Sequence, residues 1–187
     1  THTVLDTKSG HMRIFVANGK RSEWGRVYPN YYWEEIVRAA AEAKVDPYLV
    51  LSVIRQESTF NEGATSRAGA RGLMQIMPKT GKTLATHLGM QRFKHSSLYD
   101  PDVSIRLGSY FLGDQVRQFT NGATADMGFE LGLAAYNAGP HNARQWLERF
   151  PHDDADAFIE RIPFKETRLY VKLVLKNYAI YKALSDV

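Results

Sequence analysis

The chain has 187 residues, 44% of them hydrophobic, enough for one packed domain without need of a second. It contains no cysteine, which excludes a disulfide framework and a thiolate metal site, and its six histidines show no metal-ligand spacing. With 24 Lys and Arg against 20 acids the formal charge is +4, which suits an anionic cell wall, nucleic acid or lipid heads and decides among none of them.

Near the start, Val4-Leu5 and Ile14-Phe15-Val16 flank Lys8-Ser9-Gly10, the pattern of a short N-terminal β-hairpin. Ser9 to Met12 also reads as a cloning scar, which would make the first residues vector-derived. The chain opens at Thr1 without Met, so the expectation is a processed, truncated or excised piece that any export signal or lipid anchor preceded. No apolar run approaches the length of a membrane span. Residues 1–30 therefore read as an extension, hairpin plus linker, and residues 31–187 as the functional domain. The domain begins with a helix over Tyr31 to Lys44, in which Ile36, Ala39, Ala40 and Ala43 share a face.

The next helix starts at Asp46, a good cap, with Pro47 in the first turn, where a fixed φ and a missing N–H cost little. Val50, Val53, Ile54 and Glu57 follow at i, i+3, i+4 and i+7, so an acid extends an apolar stripe. Lost solvation raises the pKa of such a carboxyl and keeps it protonated near neutrality, as a general acid requires. The plain alternative is a side chain that bends out to water. Ser58, Thr59 and Asn61 favour turns and end the helix just after the acid. Gly63, Gly69 and Gly72 carry the turning chain, and Leu73 to Met77 return as an apolar run broken only by Gln75.

Pro78 to Leu88 is expected to be helical and to stop at Gly89. A long helix begins at Asp100-Pro101, with Val103, Leu107, Tyr110 and Phe111 on one face. Asn121-Gly122 breaks the chain, Met127 to Asn137 resumes it, and Gly139-Pro140 is a combined stop and restart. Two short helices, Pro140 to Phe150 and Asp153 to Arg161, precede a last one from Glu166 to about Ala183, where Val171, Val174, Leu175 and Tyr178 form a stripe.

Four segments then stand in a telling order: ES at Glu57-Ser58, GLMQIMP from Gly72 to Pro78, AYNAGP from Ala135 to Pro140, and IPFKETRLYVKLVLKNYAIY from Ile162 to Tyr181. Together they resemble the successive signatures of the lytic transglycosylases, and from about Tyr31 to Tyr181 the chain is similar to the catalytic domain of the soluble type (glycoside hydrolase family 23). Singly such short matches recur by chance; four in order are specific. The resemblance implies a mainly α, goose-lysozyme-like helical domain. It implies cleavage of the β-1,4 bond between N-acetylmuramic acid and N-acetylglucosamine in peptidoglycan, with 1,6-anhydromuramic acid ends. It also implies a monomer in the periplasm or cell envelope with no cofactor, no metal and no nucleic-acid partner, bound to a membrane only through an anchor ahead of residue 1.

In that family one acid suffices, because the substrate's N-acetyl group assists departure of the leaving group, an exception to the usual pair of carboxylates. Glu57 would act first as acid and then as base on the C6 hydroxyl. Ser66, Gln75 and Met77 match positions that contact the sugar beside the acid; their plain readings are a turn hydroxyl, an amide tying the loop to backbone, and core filling. Tyr136 and Asn137 match cleft residues, the phenol bonding Glu57 or the N-acetyl carbonyl. Any buried Tyr finds some partner, however, and Asn137 could instead cap the helix ending at Gly139. Glu166 matches a substrate-side residue and also suits a helix N-terminus; Tyr170 would share its surface, and Arg168 reads as a salt-bridge partner. Two departures stand out: Asn61 is followed by Glu62 where the family commonly has Pro, and His141 stands where Gly is usual. A lysozyme-like hydrolase and a non-catalytic glycan-binding domain are the competing readings. The missing second acid argues against the first, and the intact Glu57 motif against the second.

Overall fold

The computed structural model describes residues 27–120, 126–151 and 154–185. The hairpin region, the Asn121-Gly122 break and Asp153 lie outside these residues. Among the described residues the secondary structure is helical: α1 (Trp33–Ala43), α2 (Pro47–Ser58), α3 (Pro78–His87), a 3₁₀ turn (His95–Tyr99), α4 (Pro101–Phe119), α5 (Gly128–Ala138), α6 (Pro140–Arg149), α7 (Ala155–Arg161) and α8 (Lys165–Ser185). Isolated bridges at Thr65–Arg71 and Arg71–Ile76 are the only extended pairings among them.

Local chemistry sets most of these boundaries. Asp46 accepts from the Tyr48 N–H at 2.8 Å with Pro47 behind it, and Asp100 caps α4 through the Val103 N–H at 3.2 Å in front of Pro101. α1 ends on Lys44 in the left-handed region, and its buried face is Ile36, Ala39, Ala40 and Ala43, as the periodicity predicts. The 3₁₀ turn has no periodic signature and was not foreseen from the sequence.

α4 packs against α1, α3 and α5, while α2 lies antiparallel to α8. One end of that pair is clamped where Tyr178 and Lys182 meet Asp46, at 2.8 and 3.7 Å. α2 departs from expectation in one respect. Leu49 to Ile54 are buried without interruption, so it is a central helix with apolar contacts all round and not a surface helix with one stripe. Its C-terminal end, with Glu57, emerges from this core at an edge formed by α5, α8 and the loop beyond Ser58.

Candidate active site

Glu57 occupies the last turn of α2 and is half-buried. Burial pushes its pKa up to about 7; Tyr170 partly offsets this as a donor, and the negative charge of Glu166 adds to the rise. The negative end of the α2 dipole disfavours the ionised form further. Near neutrality the group can therefore both give and take a proton, which is what acid and base roles in succession require.

Two phenols lie near it. Tyr170 on α8 is 6% exposed, and its hydroxyl is turned toward the Glu57 carboxyl without meeting ordinary hydrogen-bond geometry, so the contact is loose. Burial, and next the charge of Glu57, hold the Tyr170 pKa well above the ordinary value, so this phenol stays a donor. Tyr136 on α5 is 8% exposed, stays protonated for the same two reasons, and stacks at 5.1 Å against Phe111. Its proton, however, goes to the Met74 carbonyl at 2.7 Å. This proton is therefore committed to main chain, which leaves the phenol oxygen as an acceptor toward Glu57 or a ligand.

The other sequence-predicted residues divide between cleft and scaffold. Gln75 sits in the left-handed region (φ 49°), and its Nε2 donates to the carbonyls of Gly72 at 2.9 Å and Ala64 at 3.2 Å, the loop-tying role, which leaves Oε1 as its outward group. Ser66 is exposed and its Oγ accepts from the Ala70 N–H at 3.1 Å, a turn contact that leaves the hydroxyl proton to project outward. Met77 is 42% exposed at the N-cap of α3, so core filling is not its function. Asn137 accepts from the buried Thr167 hydroxyl at 2.7 Å, which joins α5 to α8; the end of α5 is instead closed by the Gly139 N–H on Ala135. Glu166 is exposed in the first turn of α8. Arg168 is not a salt-bridge partner: it donates to the Glu160 carbonyl at 2.8 Å, while Lys172 takes the Glu160 carboxylate.

Sequence reasoning missed the device that fixes the loop opposite the acid. The segment Leu73 to Ile76 is held by one side chain from each of three helices. Ser58 on α2 donates to the Leu73 carbonyl at 2.9 Å, Ser104 on α4 accepts from the Met74 N–H at 3.2 Å, and Tyr136 on α5 donates to the Met74 carbonyl. Gly72 (φ 75°) makes the approach possible, since a Cβ there would lie 1.8 Å from the Leu98 carbonyl oxygen. Gly63 turned out to need no such freedom; the sharp exit from α2 falls instead on Thr59 and Phe60, at φ 50° and 64°. Non-glycine residues in this region, above all a β-branched one, are strained and hold only where packing enforces them. Two such residues fall at the acid's own exit, Gln75 is a third nearby, and Tyr32, Lys44 and Arg92 share the conformation elsewhere. No sequence signal distinguishes them.

Among the described residues no three His, Asp or Glu side chains gather as a metal site would require. None of their helices is long and apolar enough to cross a membrane.

Comparison with known proteins agrees with this geometry. Residues 34–159 match the family profile described as Transglycosylase SLT domain, and residues 161–187 that of a Soluble lytic transglycosylase helical domain. The chain is 36% identical to the soluble lytic murein transglycosylase of Escherichia coli K12 over 157 residues, which is 83% of this chain and 23% of that protein. It superposes on the lytic transglycosylase Slt of Pseudomonas aeruginosa, solved as an inactive mutant, with a TM-score of 0.74 and 38% identity, covering 84% of this chain and 24% of that one. A 70-kDa soluble lytic transglycosylase of E. coli gives a TM-score of 0.74 at 34% identity, with 87% and 26% covered. The chain thus spans about a quarter of the length of these relatives. The mainly α, lysozyme-like fold expected from the motifs is the one found.

Proposed function

Since this chain belongs to the transglycosylase SLT domain family, we propose that it is a lytic transglycosylase that cleaves peptidoglycan between N-acetylmuramic acid and N-acetylglucosamine. The observation that carries the reading is Glu57: a carboxyl at the end of a helix buried from Leu49 to Ile54, poised at about 7, with a phenol on one side and a second carboxylate too exposed to share its chemistry. Protonated Glu57 gives its proton to the glycosidic oxygen as the C1–O bond breaks. The N-acetyl carbonyl oxygen of the same muramic acid holds C1 in the interval. Glu57, now a carboxylate, takes the proton of the C6 hydroxyl, whose oxygen closes on C1 and leaves a 1,6-anhydro ring. Because that hydroxyl belongs to the same sugar, its effective concentration exceeds that of solvent water in a site that holds the ring in place.

The outward Oε1 of Gln75, the Ser66 hydroxyl, the Asn137 amide and the thioether of Met77 line the sugar's path in this reading, and Glu166 contacts muramic acid or its peptide from the exposed turn of α8. Tyr170 steadies the Glu57 carboxylate during the interval when it is charged. The substrate places the activity in the periplasm or cell envelope. Mass spectrometry of soluble products from purified peptidoglycan tests the proposal. Products one water lighter than hydrolysis products, absent with Glu57→Gln, support it; reducing ends would make the protein a hydrolase, and binding without turnover a glycan-binding domain.

A further inference from the structure

Of the 24 Lys and Arg in the chain, six fall between Glu62 and Asp100, a stretch that contains no acid. The other 18 face 20 acids, so the chain outside this stretch is net negative by two and the whole positive excess resides within it. The stretch is one packed lobe. Thr65 and Tyr99 share a hydrogen bond of 2.7 Å, Gly72 lies against the Leu98 carbonyl, and the Gly81 face of α3 rests on Leu98 and Phe93. Arg71 is partly buried over the Tyr99 ring; Arg67, Lys79, Lys82, Arg92 and Lys94 are exposed, and none of these five has an ion-pair partner among the described residues.

Stability does not explain this charge. Lys79 sits in the first turn of α3, where a cation opposes the helix dipole and no acid compensates, and Lys82 lies one turn on along the same face. Like charges at that spacing repel, so the arrangement is unfavourable for the helix that carries it. The lobe also carries Ser66, Gln75 and Met77, which line the path of the sugar in the proposed reading of the site: Lys79 follows the exposed Met77 by two positions, and Arg67 follows Ser66 directly. Its aromatics are not free to stack on nucleobases, because Phe93 packs on Gly81 and Tyr99 is taken by Thr65 and Arg71.

Resting on the reading of the site as a peptidoglycan transglycosylase, we propose that this lobe is the surface that captures the wall polymer through the free carboxylates of its peptide stems. The cations raise the local concentration of the anionic strand beside the cleft and take no part in bond cleavage, so their effect falls on association and fades with salt. The test compares the full chain with a Lys79→Gln, Lys82→Gln, Lys94→Gln variant, whose changes are all exposed. Both are prepared with and without Glu57→Gln, so that binding can be read without cutting. The probes are sacculi freed of bound phosphate polymers and the same sacculi with their stem carboxylates amidated.

Co-sedimentation of the Glu57→Gln protein should weaken about 10-fold when the sacculi are amidated, and should weaken similarly on intact sacculi when the three lysines are replaced. With both changes together little further loss is expected, and KM should rise in the lysine variant with kcat unchanged. A loss in the variant that is equal on intact and amidated sacculi, a fall in kcat, or no change at all would overturn the proposal. So would a variant that loses duplex DNA but keeps the wall. Failure of the catalytic reading is separable: wild type that binds sacculi with the expected carboxylate dependence but releases no anhydro products leaves the lobe standing and removes the transglycosylase. Anhydro products from a variant that binds like wild type do the reverse.

Discussion

In the helical body several cations stand against acids, Arg38 on Asp102, Arg106 on Glu42, Lys172 on Glu160 and Lys182 on Asp46, while others such as Lys44, Lys165 and Lys176 are exposed without an ion pair among the described residues. In the lobe from Gly63 to Tyr99 five exposed cations have no such neighbour among the described residues. The two regions share one apolar core, to which the lobe contributes Leu73, Met74, Ile76, Leu84 and Leu98. The return segment of the lobe is pinned in addition by main-chain and hydroxyl hydrogen bonds and by the absence of a side chain at Gly72. A region fixed by directional bonds keeps its shape without needing its surface charges, which are then available to something outside. Burial in the helical body also removes solvent from carboxyls, raising the pKa of Glu57 at the end of α2 and of Glu130 on α5, and of the two only Glu57 has a phenol turned toward it.

The comparison breaks most visibly at its seam. Glu57→Gln should lower kcat by about 10³-fold or more while leaving wall binding intact, since a general acid that also serves as base has no substitute. Stability should move the other way. A carboxyl whose folded pKa is raised to about 7 disfavours the fold once pH exceeds its unfolded value and carries its full cost above 7. The variant should therefore be more stable at pH 8, by on the order of 3 kcal/mol at most, with the gain vanishing as pH falls toward 4, read as ΔTm in thermal melts. A variant destabilised at pH 8 would remove the desolvation argument.

Gly72→Ala attacks the lobe's way of holding itself. A Cβ 1.8 Å from a carbonyl oxygen, on a backbone at φ 75°, leaves no room for small adjustment, and a loss of at least about 3 kcal/mol in denaturant unfolding is expected. Tyr136→Phe leaves the Met74 carbonyl without its donor and should cost about 1–2 kcal/mol. Its effect on kcat should follow from displacement of the loop; an alkaline limb of the pH profile that stayed in place would separate it from Tyr170.

The smallest effects are the most diagnostic. The wild-type rate should fall above pH about 7 as protonated Glu57 is lost. Tyr170→Phe removes the donor that lowers the Glu57 pKa and should shift that alkaline limb upward, whereas Glu166→Gln removes the charge that raises it and should shift the limb downward. Opposite displacements from two residues one turn apart on α8 would be hard to obtain from a general loosening. Shifts in the same direction would refute the assignment of causes.

The body was largely legible from sequence because it obeys periodicity and capping. Asp46-Pro47, Asp100-Pro101 and Gly139-Pro140 mark helix starts, and the spacing that led to Glu57 is a true register of α2 even though that helix proved buried all round. The lobe was less legible. Gln75 within it, like Thr59 and Phe60 just ahead of it, adopts positive φ although nothing in its chemistry asks for it, and the 3₁₀ turn is too short to show a period. Site residues followed the same division. Glu57 was visible because its own helix positions it, but the partners of Tyr136, Ser58 and Asn137 lie on other elements, and a motif names a residue without saying where its proton goes.

The three clasps on Leu73 and Met74 also bear on the order in which the chain becomes active. They close loops of increasing span, 15 residues from Ser58, 30 from Ser104 and 62 from Tyr136, and loop closure entropy makes the longest the costliest to form early. Until α5 docks, the return segment lacks its last fastener, the Tyr136 donor to Met74, and until the surrounding helices bury it Glu57 has no cause to depart from an ordinary carboxylate. A nascent or fraying chain is thus chemically mute. For a protein whose proposed substrate is the envelope of the cell, the wiring of the loop makes completion of the fold the safety catch on its chemistry.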